Sequence, residues 1–164
     1  MIKRLNFHNS LDLQIFLEEC FDRYSEFFIT KDKQRYFLKN NSQLITEVLK
    51  KQEIYGFFED GLKGILLIFR EKGFRPYLKI LAKSNKVNKD LVKFFLWNFM
   101  KEEVYCKVKK ANPLFNILVA KAFYVLGNRG TECLLIKKAI KGLKPFIQKD
   151  DFIDHESLYA KRKK

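Results

Sequence analysis

The chain has 164 residues, of which 47% are hydrophobic and 15% aromatic, and its formal net charge is +14. This length and composition predict one domain with a substantial core, and they exclude an intrinsically disordered chain. The longest apolar runs, such as residues 64–69, are too short to cross a bilayer, and the first residues lack the apolar segment of a signal peptide. We therefore expect a cytoplasmic protein with no membrane partner.

The cysteine and histidine content argues against a structural metal site. The three cysteines, Cys20, Cys106 and Cys133, share no metal-ligand spacing, and the chain has only two histidines. We expect buried, reduced thiols and no bound metal.

The positive charge has two interpretations. A net charge of +14 attracts polyanions such as nucleic acid, acidic proteins or a phosphate-bearing cofactor. The alternative is a solvated lysine surface, because the charge is mostly lysine and is spread along the whole chain. Seven of the 33 basic residues are arginine, the side chain preferred for bidentate recognition, and no nucleic-acid-binding motif is present.

The first fifty residues predict a strand followed by two helices. Residues 3–7 form the strand, and Asn9 or Ser10 can cap a helix whose apolar stripe continues to Phe28. Residues 31–35 read as a charged connection. A second helix begins near Asn41 and Ser42, with apolar residues on one side.

Three antiparallel strands follow, at residues 54–58, 64–70 and 76–83. The sequences EDG at 59–61 and EKG at 71–73 are strong turn signals between them. The middle strand is apolar throughout, which is typical of a strand that is covered on both faces. The segment therefore predicts an antiparallel meander.

The next segment predicts helix, strand, helix and hairpin. Asn88 caps a helix over residues 89–101 that is apolar nearly all round, so we expect it, including Trp97, to be buried. Residues 104–108 alternate as a strand, and the helical crossover makes this strand parallel to the one before it. Asn112 and Pro113 begin a further helix. Residues 123–126 and 131–137 form a hairpin.

This order of elements resembles the Gcn5-related N-acetyltransferase superfamily over residues 1–138. The local match is the sequence AFYVLG at 122–127, then RG at 129–130 and a final strand, with Ala122 where the family usually has glycine. The resemblance implies an α+β fold: a mixed, mostly antiparallel sheet flanked by helices, with a parallel, splayed strand pair in the middle. That cleft would lie between residues 77–82 and 104–108. Residues 139–164 would form a basic C-terminal extension.

The resemblance also implies acetyl-CoA as co-substrate, held in the cleft and at the N-terminus of the following helix. Free backbone N–H groups at such a terminus bind a diphosphate. The family supplies a glycine-rich loop here, whereas residues 83–89 of this chain contain no glycine, so asparagine, serine and lysine would take its place. The residues that we predict to contact the cofactor are Leu81, Ala82, Ser84, Asn85, Lys86, Asn88, Lys89, Asn112 and Asn116. Asn112, placed before Pro113, also suits a simple helix cap.

The catalytic residues stay unassigned. The tyrosine with which many relatives protonate the leaving thiolate would fall near Leu118, which has no proton to donate, and Tyr124 is the nearest phenol. Glu59, Asp60 and Glu71 lie at strand ends, where they serve either as a general base or simply as turn residues.

Two functions compete at this stage. The first is acetyl-CoA-dependent N-acetylation of a primary amine, on a small molecule or a protein, by direct transfer. The many lysines argue against a polybasic substrate and for an acidic or nucleotide-bearing one. The alternative is a catalytically inactive domain of the same fold that serves as a basic binding module for nucleic acid or an acidic protein.

Overall fold

The computed structural model describes residues 1–20, 28–73 and 75–139. The predicted extension therefore lies outside the described residues except for Ala139. The strands are β1 (Ile2–Arg4), β2 (Phe28–Lys31), β3 (Gln34–Phe37), β4 (Glu53–Phe58), β5 (Leu62–Phe69), β6 (Tyr77–Ala82), β7 (Val104–Lys109), β8 (Tyr124–Arg129) and β9 (Glu132–Lys137). The helices are α1 (Ser10–Glu19), α2 (Ser42–Lys51), α3 (Asn85–Asn98) and α4 (Pro113–Lys121), with a 3-10 turn at Phe7–Asn9.

Seven of these strands form one mixed sheet in the order β1-β4-β5-β6-β7-β9-β8. The β6–β7 pair is parallel, and every other neighbouring pair is antiparallel. The predicted fold class, the meander (β4 to β6) and the parallel pair are therefore confirmed. Strands β2 and β3 form a separate hairpin.

The sheet separates two hydrophobic cores. On one face α3 and α4 pack against the sheet, with Phe95 and Leu118 fully buried beside Leu66 of β5. On the other face α1 and α2 cover Ile65 and Leu67 of the same strand. Because consecutive side chains of a strand point to opposite faces, the continuous apolar run of β5 supplies both cores.

Gly64 lets α3 approach the sheet. A Cβ atom built at this position would lie 2.5 Å from Cγ1 of Val87 and 3.0 Å from Cδ1 of Leu91. Both side chains belong to the first half of α3. A larger residue at position 64 would therefore push this helix away from the sheet. This contact places the N-terminus of α3 beside the end of β6, since Gly64 pairs with Ala82.

The β2–β3 hairpin corrects two predictions. Phe28 is the first residue of β2 rather than part of the first helix, and the charged connection at residues 31–35 contains a hairpin turn. Asp32 and Lys33 have φ values of 52° and 66°, the left-handed conformation that a two-residue hairpin turn requires. Because residues 31–35 are all polar, this segment lacks the hydrophobic alternation by which a strand is recognised.

Helix α3 also differs from the prediction. It begins at Asn85 rather than Lys89, and its N-cap is Ser84, whose hydroxyl accepts a hydrogen bond from the Val87 N–H at 3.3 Å. Asn88, the predicted cap, is a buried residue within the helix. Trp97 is 64% exposed rather than part of the core, because the buried stripe of α3 runs through Leu91 and Phe95.

The C-terminal hairpin is confirmed, with a tighter turn than expected. Strand β8 extends to Arg129 and β9 begins at Glu132, so the turn reduces to Gly130 and Thr131. The first strand is present but ends at Arg4 rather than Phe7, which begins the 3-10 turn, and the second helix is present as predicted, with Asn41 capping α2. Among the described residues, no helix is long and apolar enough to span a membrane.

Candidate active site

Strands β6 and β7 pair over only two positions and then separate. Tyr77 lies beside Tyr105 and Leu78 beside Cys106, and no further pairing joins these strands. Beyond this point β6 stays hydrogen-bonded to β5 as far as Ala82, while β7 stays with β9 as far as Lys109. Each strand thus follows its outer neighbour, and the predicted splayed cleft is confirmed.

A narrow cavity of about 90 Å³, which we call the slot, occupies the opening between the two strands. Leu78, Ile80, Cys106 and Val108 contribute its apolar walls. Burial raises the pKa of the Cys106 thiol to about 12, so at neutral pH this group is protonated and is a poor nucleophile. The slot therefore suits a bound ligand better than covalent chemistry on the cysteine, and Lys79, Lys107 and Lys109 add positive charge to its wall.

A larger cavity of about 420 Å³, which we call the open pocket, lies on the face of the sheet that also carries α1 and α2. Its lining residues are Lys33, Glu71, Arg75, Tyr77, Lys79, Tyr105, Lys107, Leu126 and Leu134. Lys79 and Lys107 line the slot as well, so the two cavities adjoin at these lysines. A ligand in the open pocket can therefore meet a ligand in the slot.

The β2–β3 hairpin covers the slot from the side of the open pocket. The Phe28 ring contacts two cations, with Nζ of Lys79 4.3 Å and Cζ of Arg35 4.5 Å from its centroid. Arg35 also forms an ion pair with Glu132 of β9, with 3.9 Å between Nη2 and Oε1. Burial lowers the pKa of Lys79, and the nearby charges of Lys107 and Arg35 lower it further. The sequence alone indicated neither Lys79 as a site residue nor the β2–β3 hairpin that contacts it.

The N-terminus of α3 lies directly after β6, with only Lys83 and Ser84 between them. No described residue from 83 to 89 has a positive φ, so the tight connection works without glycine. Asn85 and Lys86 begin the helix, and their N–H groups belong to the first turn, which lacks intrahelical acceptors. Lys86 reaches Glu59 at 3.6 Å, while Lys89 is exposed.

Two of the predicted asparagines are buried at helix N-termini. Asn88 is 8% exposed in α3, and Asn112 is 7% exposed at the N-cap of α4, where it lines the slot. The Asn112 Oδ1 atom accepts a hydrogen bond from the Leu114 N–H at 3.0 Å, which confirms its role as a cap. Within residues 1–20, 28–73 and 75–139, no hydrogen bond uses the Asn112 Nδ2 group or the Asn88 side-chain amide. Buried amides normally have partners, so the Asn112 Nδ2 group in the slot wall has capacity for a ligand, whereas Asn88 lines neither cavity.

Of the nine predicted cofactor contacts, Asn112 alone lines the slot, and none lines the open pocket. Leu81 packs in the core under α1 and α2, because it faces the opposite side of the sheet from Ile80, and Ala82 ends β6 opposite Gly64. Neither residue lines the slot or the open pocket. Asn116 is exposed on α4.

Of the three candidate bases, Glu71 alone lines the open pocket. Its Oε1 atom accepts a hydrogen bond from the Asp32 N–H at 3.0 Å, which ties it to the hairpin turn. Glu59 pairs with Lys86, and Asp60 is a turn residue with a φ of 53°. Leu118 is fully buried in the core. The described residues contain no group of three or more potential metal-ligating side chains.

Comparison with known proteins identifies the architecture. No family model and no curated protein sequence matches the chain. Among solved structures, an N-acetyltransferase from Staphylococcus aureus matches with a TM-score of 0.65 and 14% identity, covering 84% of this chain and 96% of that chain. The PaiA N-acetyltransferase from Thermoplasma acidophilum, in complex with coenzyme A, matches with a TM-score of 0.64 and 17% identity, covering 84% and 98%.

A spermidine N-acetyltransferase chimera from Vibrio cholerae is similar at a TM-score of 0.59 and 10% identity, covering 85% of this chain and 96% of that chain. These identities are low, whereas the shared architecture extends over almost the whole of each solved structure. The described part of this chain therefore has the fold of the Gcn5-related N-acetyltransferases.

Proposed function

We propose that the protein is an acetyl-CoA-dependent N-acetyltransferase that acts on a primary amine by direct transfer. The observation that carries the proposal is the junction of the two cavities. The slot between β6 and β7 and the open pocket meet at Lys79 and Lys107, so a thioester in the slot would face an amine in the pocket. Coenzyme A is bound by a solved protein of this fold.

The residues around the slot fit a coenzyme A moiety. The pantetheine arm is an extended chain with amide groups, and the buried Asn112 Nδ2 offers an unused donor in the slot wall. The first turn of α3 offers backbone N–H groups for the diphosphate, with Lys86 and Lys89 adding positive charge. These contacts would replace those of the missing glycine-rich loop.

The co-substrate supplies an acetyl group that is activated as a thioester. In the proposed reaction the amine nitrogen attacks the carbonyl carbon, the C–N bond forms and the C–S bond breaks. The thiolate leaves and takes up a proton, and the amine loses one. Direct attack fits the chain because burial keeps the Cys106 thiol protonated, which disfavours transfer through an acylated cysteine. Catalysis then rests mainly on holding the two reactants together.

Calorimetric titration of the nucleic-acid-free protein with acetyl-CoA tests the proposal. We expect binding in the micromolar range, and release of coenzyme A when an acceptor amine is added. Absence of binding at millimolar acetyl-CoA would refute the proposal. Salt-dependent binding of nucleic acid by the same sample would then favour the basic binding module.

Replacement of Asn112 by serine isolates the unused amide donor. Serine keeps an oxygen that caps α4, so we expect the melting temperature to change little. The loss of the Nδ2 donor should weaken acetyl-CoA binding about tenfold, the usual effect of removing one buried hydrogen bond. Calorimetry on both proteins measures the change, with Asn116→Ser on the exposed side of α4 as the matched control. Unchanged affinity of the Asn112→Ser protein would show that the amide does not contact the co-substrate.

A further inference from the structure

The open pocket combines an apolar wall with an excess of positive charge. Tyr77, Tyr105, Leu126 and Leu134 provide the apolar surface. Its cations are Lys33, Arg75, Lys79 and Lys107, and Glu71 is its carboxylate. Of these cations, Arg75 is already neutralised, because its Nη1 atom lies 2.6 Å from Oε1 of Glu103.

The three lysines lack such a partner. No carboxylate of the described residues lies within 4.0 Å of the ammonium group of Lys33, Lys79 or Lys107. Glu132, the acidic residue in the wall of the slot, is engaged by Arg35. Glu71 accepts the backbone N–H of Asp32. With three lysines against the one carboxylate of Glu71, the pocket keeps an excess of positive charge next to the slot, and an anion bound at Lys79 would oppose the lowering of its pKa by burial.

Two of these lysines occupy corresponding positions on β6 and β7, directly after the last paired residues of the two strands. Tyr77 lies opposite Tyr105, so Lys79 and Lys107 are the corresponding residues two positions further along their strands, on the same face. Like charges at neighbouring strand positions repel each other. Here they stand where the strands part, and both line the slot and the open pocket. An anion bound between them would relieve the repulsion.

We propose that the acceptor is a free amino acid with an apolar side chain, bound with its carboxylate at Lys79 and Lys107. This inference rests on the proposed function and names the substrate class for the same site. The carboxylate and the reacting amine have to lie close together, because the two lysines line the junction at which the amine meets the thioester. An α-amino acid meets this condition. The apolar wall accommodates its side chain, and a polycation such as spermidine is repelled.

The test uses a matched pair of probes, N-acetyl-L-phenylalanine and N-acetyl-L-phenylalaninamide, which differ in one charge. Calorimetry in the presence of coenzyme A should show the acid binding about tenfold or more tightly than the amide, as expected for a charge-assisted contact. In the Lys79→Met, Lys107→Met double variant this preference should disappear. Lys110→Met, an exposed lysine outside both cavities, is the matched control and should retain it.

Kinetics give a second, independent measurement. Release of coenzyme A should be faster, in kcat/KM, with L-phenylalanine than with L-phenylalaninamide or spermidine. Equal binding of the two acetylated probes, or a preference that survives in the double variant, would overturn the inference. Neither result would affect acetyl-CoA binding, so the failure of this inference is distinguishable from the failure of the proposed function. A melting curve of the double variant checks that it folds.

Discussion

Replacement of both Lys86 and Lys89 by glutamate should weaken acetyl-CoA binding about a hundredfold and leave the melting temperature nearly unchanged. Both lysines lie in the first two turns of α3, and the first turn contains no acidic residue. A positive charge near a helix N-terminus interacts unfavourably with the helix dipole. A bound diphosphate, in contrast, is attracted by the dipole and by the two lysines. With both charges reversed, the two side chains repel the diphosphate instead of attracting it, which costs about 3 kcal/mol of binding free energy at low salt.

The same change should not harm the fold. The ion pair of Lys86 with Glu59 is exposed on both sides, and such pairs contribute little to stability. Glutamate near the N-terminus of a helix interacts favourably with the helix dipole, so we expect the melting temperature to rise slightly at most. Lys50→Glu with Lys101→Glu, two exposed lysines outside both cavities, reverses the same charge elsewhere. Calorimetry at low and high salt compares the variants, and equal affinity in all of them would exclude the α3 terminus from the binding site.

The sequence predicted the sheet well because each strand carried a local signal. The apolar run of β5, the turns at Gly61 and Gly73 and the alternation in β7 are properties of short segments. The parallel arrangement of β6 and β7 followed from the helical crossover between them. Likewise Asn112 before Pro113 identified the start of α4, because both residues act through local backbone geometry.

The candidate site was harder to predict because it depends on register between distant segments. Lys79 and Lys107 are neighbours only because Tyr77 pairs with Tyr105, and nothing in either segment fixes that pairing. The Phe28 ring reaches Lys79 because the β2–β3 hairpin, which is distant in sequence, folds over the sheet. The α3 terminus was placed too late because Asn88 is a good cap by sequence, whereas the helix is capped by Ser84, directly after the end of β6 at Ala82.

Replacement of Lys137 by methionine should lower the free energy of unfolding by about 3 kcal/mol at pH 7, and the melting temperature by about 10 °C. Lys137 ends β9 and is fully buried. Its ammonium group donates to three backbone carbonyls, those of Met100 at 3.2 Å, Glu102 at 2.5 Å and Lys138 at 3.3 Å. Methionine fills a similar volume and leaves these acceptors unpaired. Chemical denaturation measures the loss, with Lys101→Met in the same turn as an exposed control.

The pH dependence of the stability lost in Lys137→Met distinguishes the contribution of the buried charge from that of side-chain packing. Burial lowers the pKa of Lys137 from 10.5 to about 8, against the opposing effect of Glu102 and Glu103. Between these two values the unfolded chain holds the proton and the folded chain does not, so the contribution of Lys137 to stability rises with pH. The stability difference between the wild type and Lys137→Met should therefore widen from pH 7 to pH 10, by about 3 kcal/mol at most. A difference that stays constant over this range would mean that Lys137 keeps its proton, because three carbonyl acceptors then outweigh the cost of burying the charge.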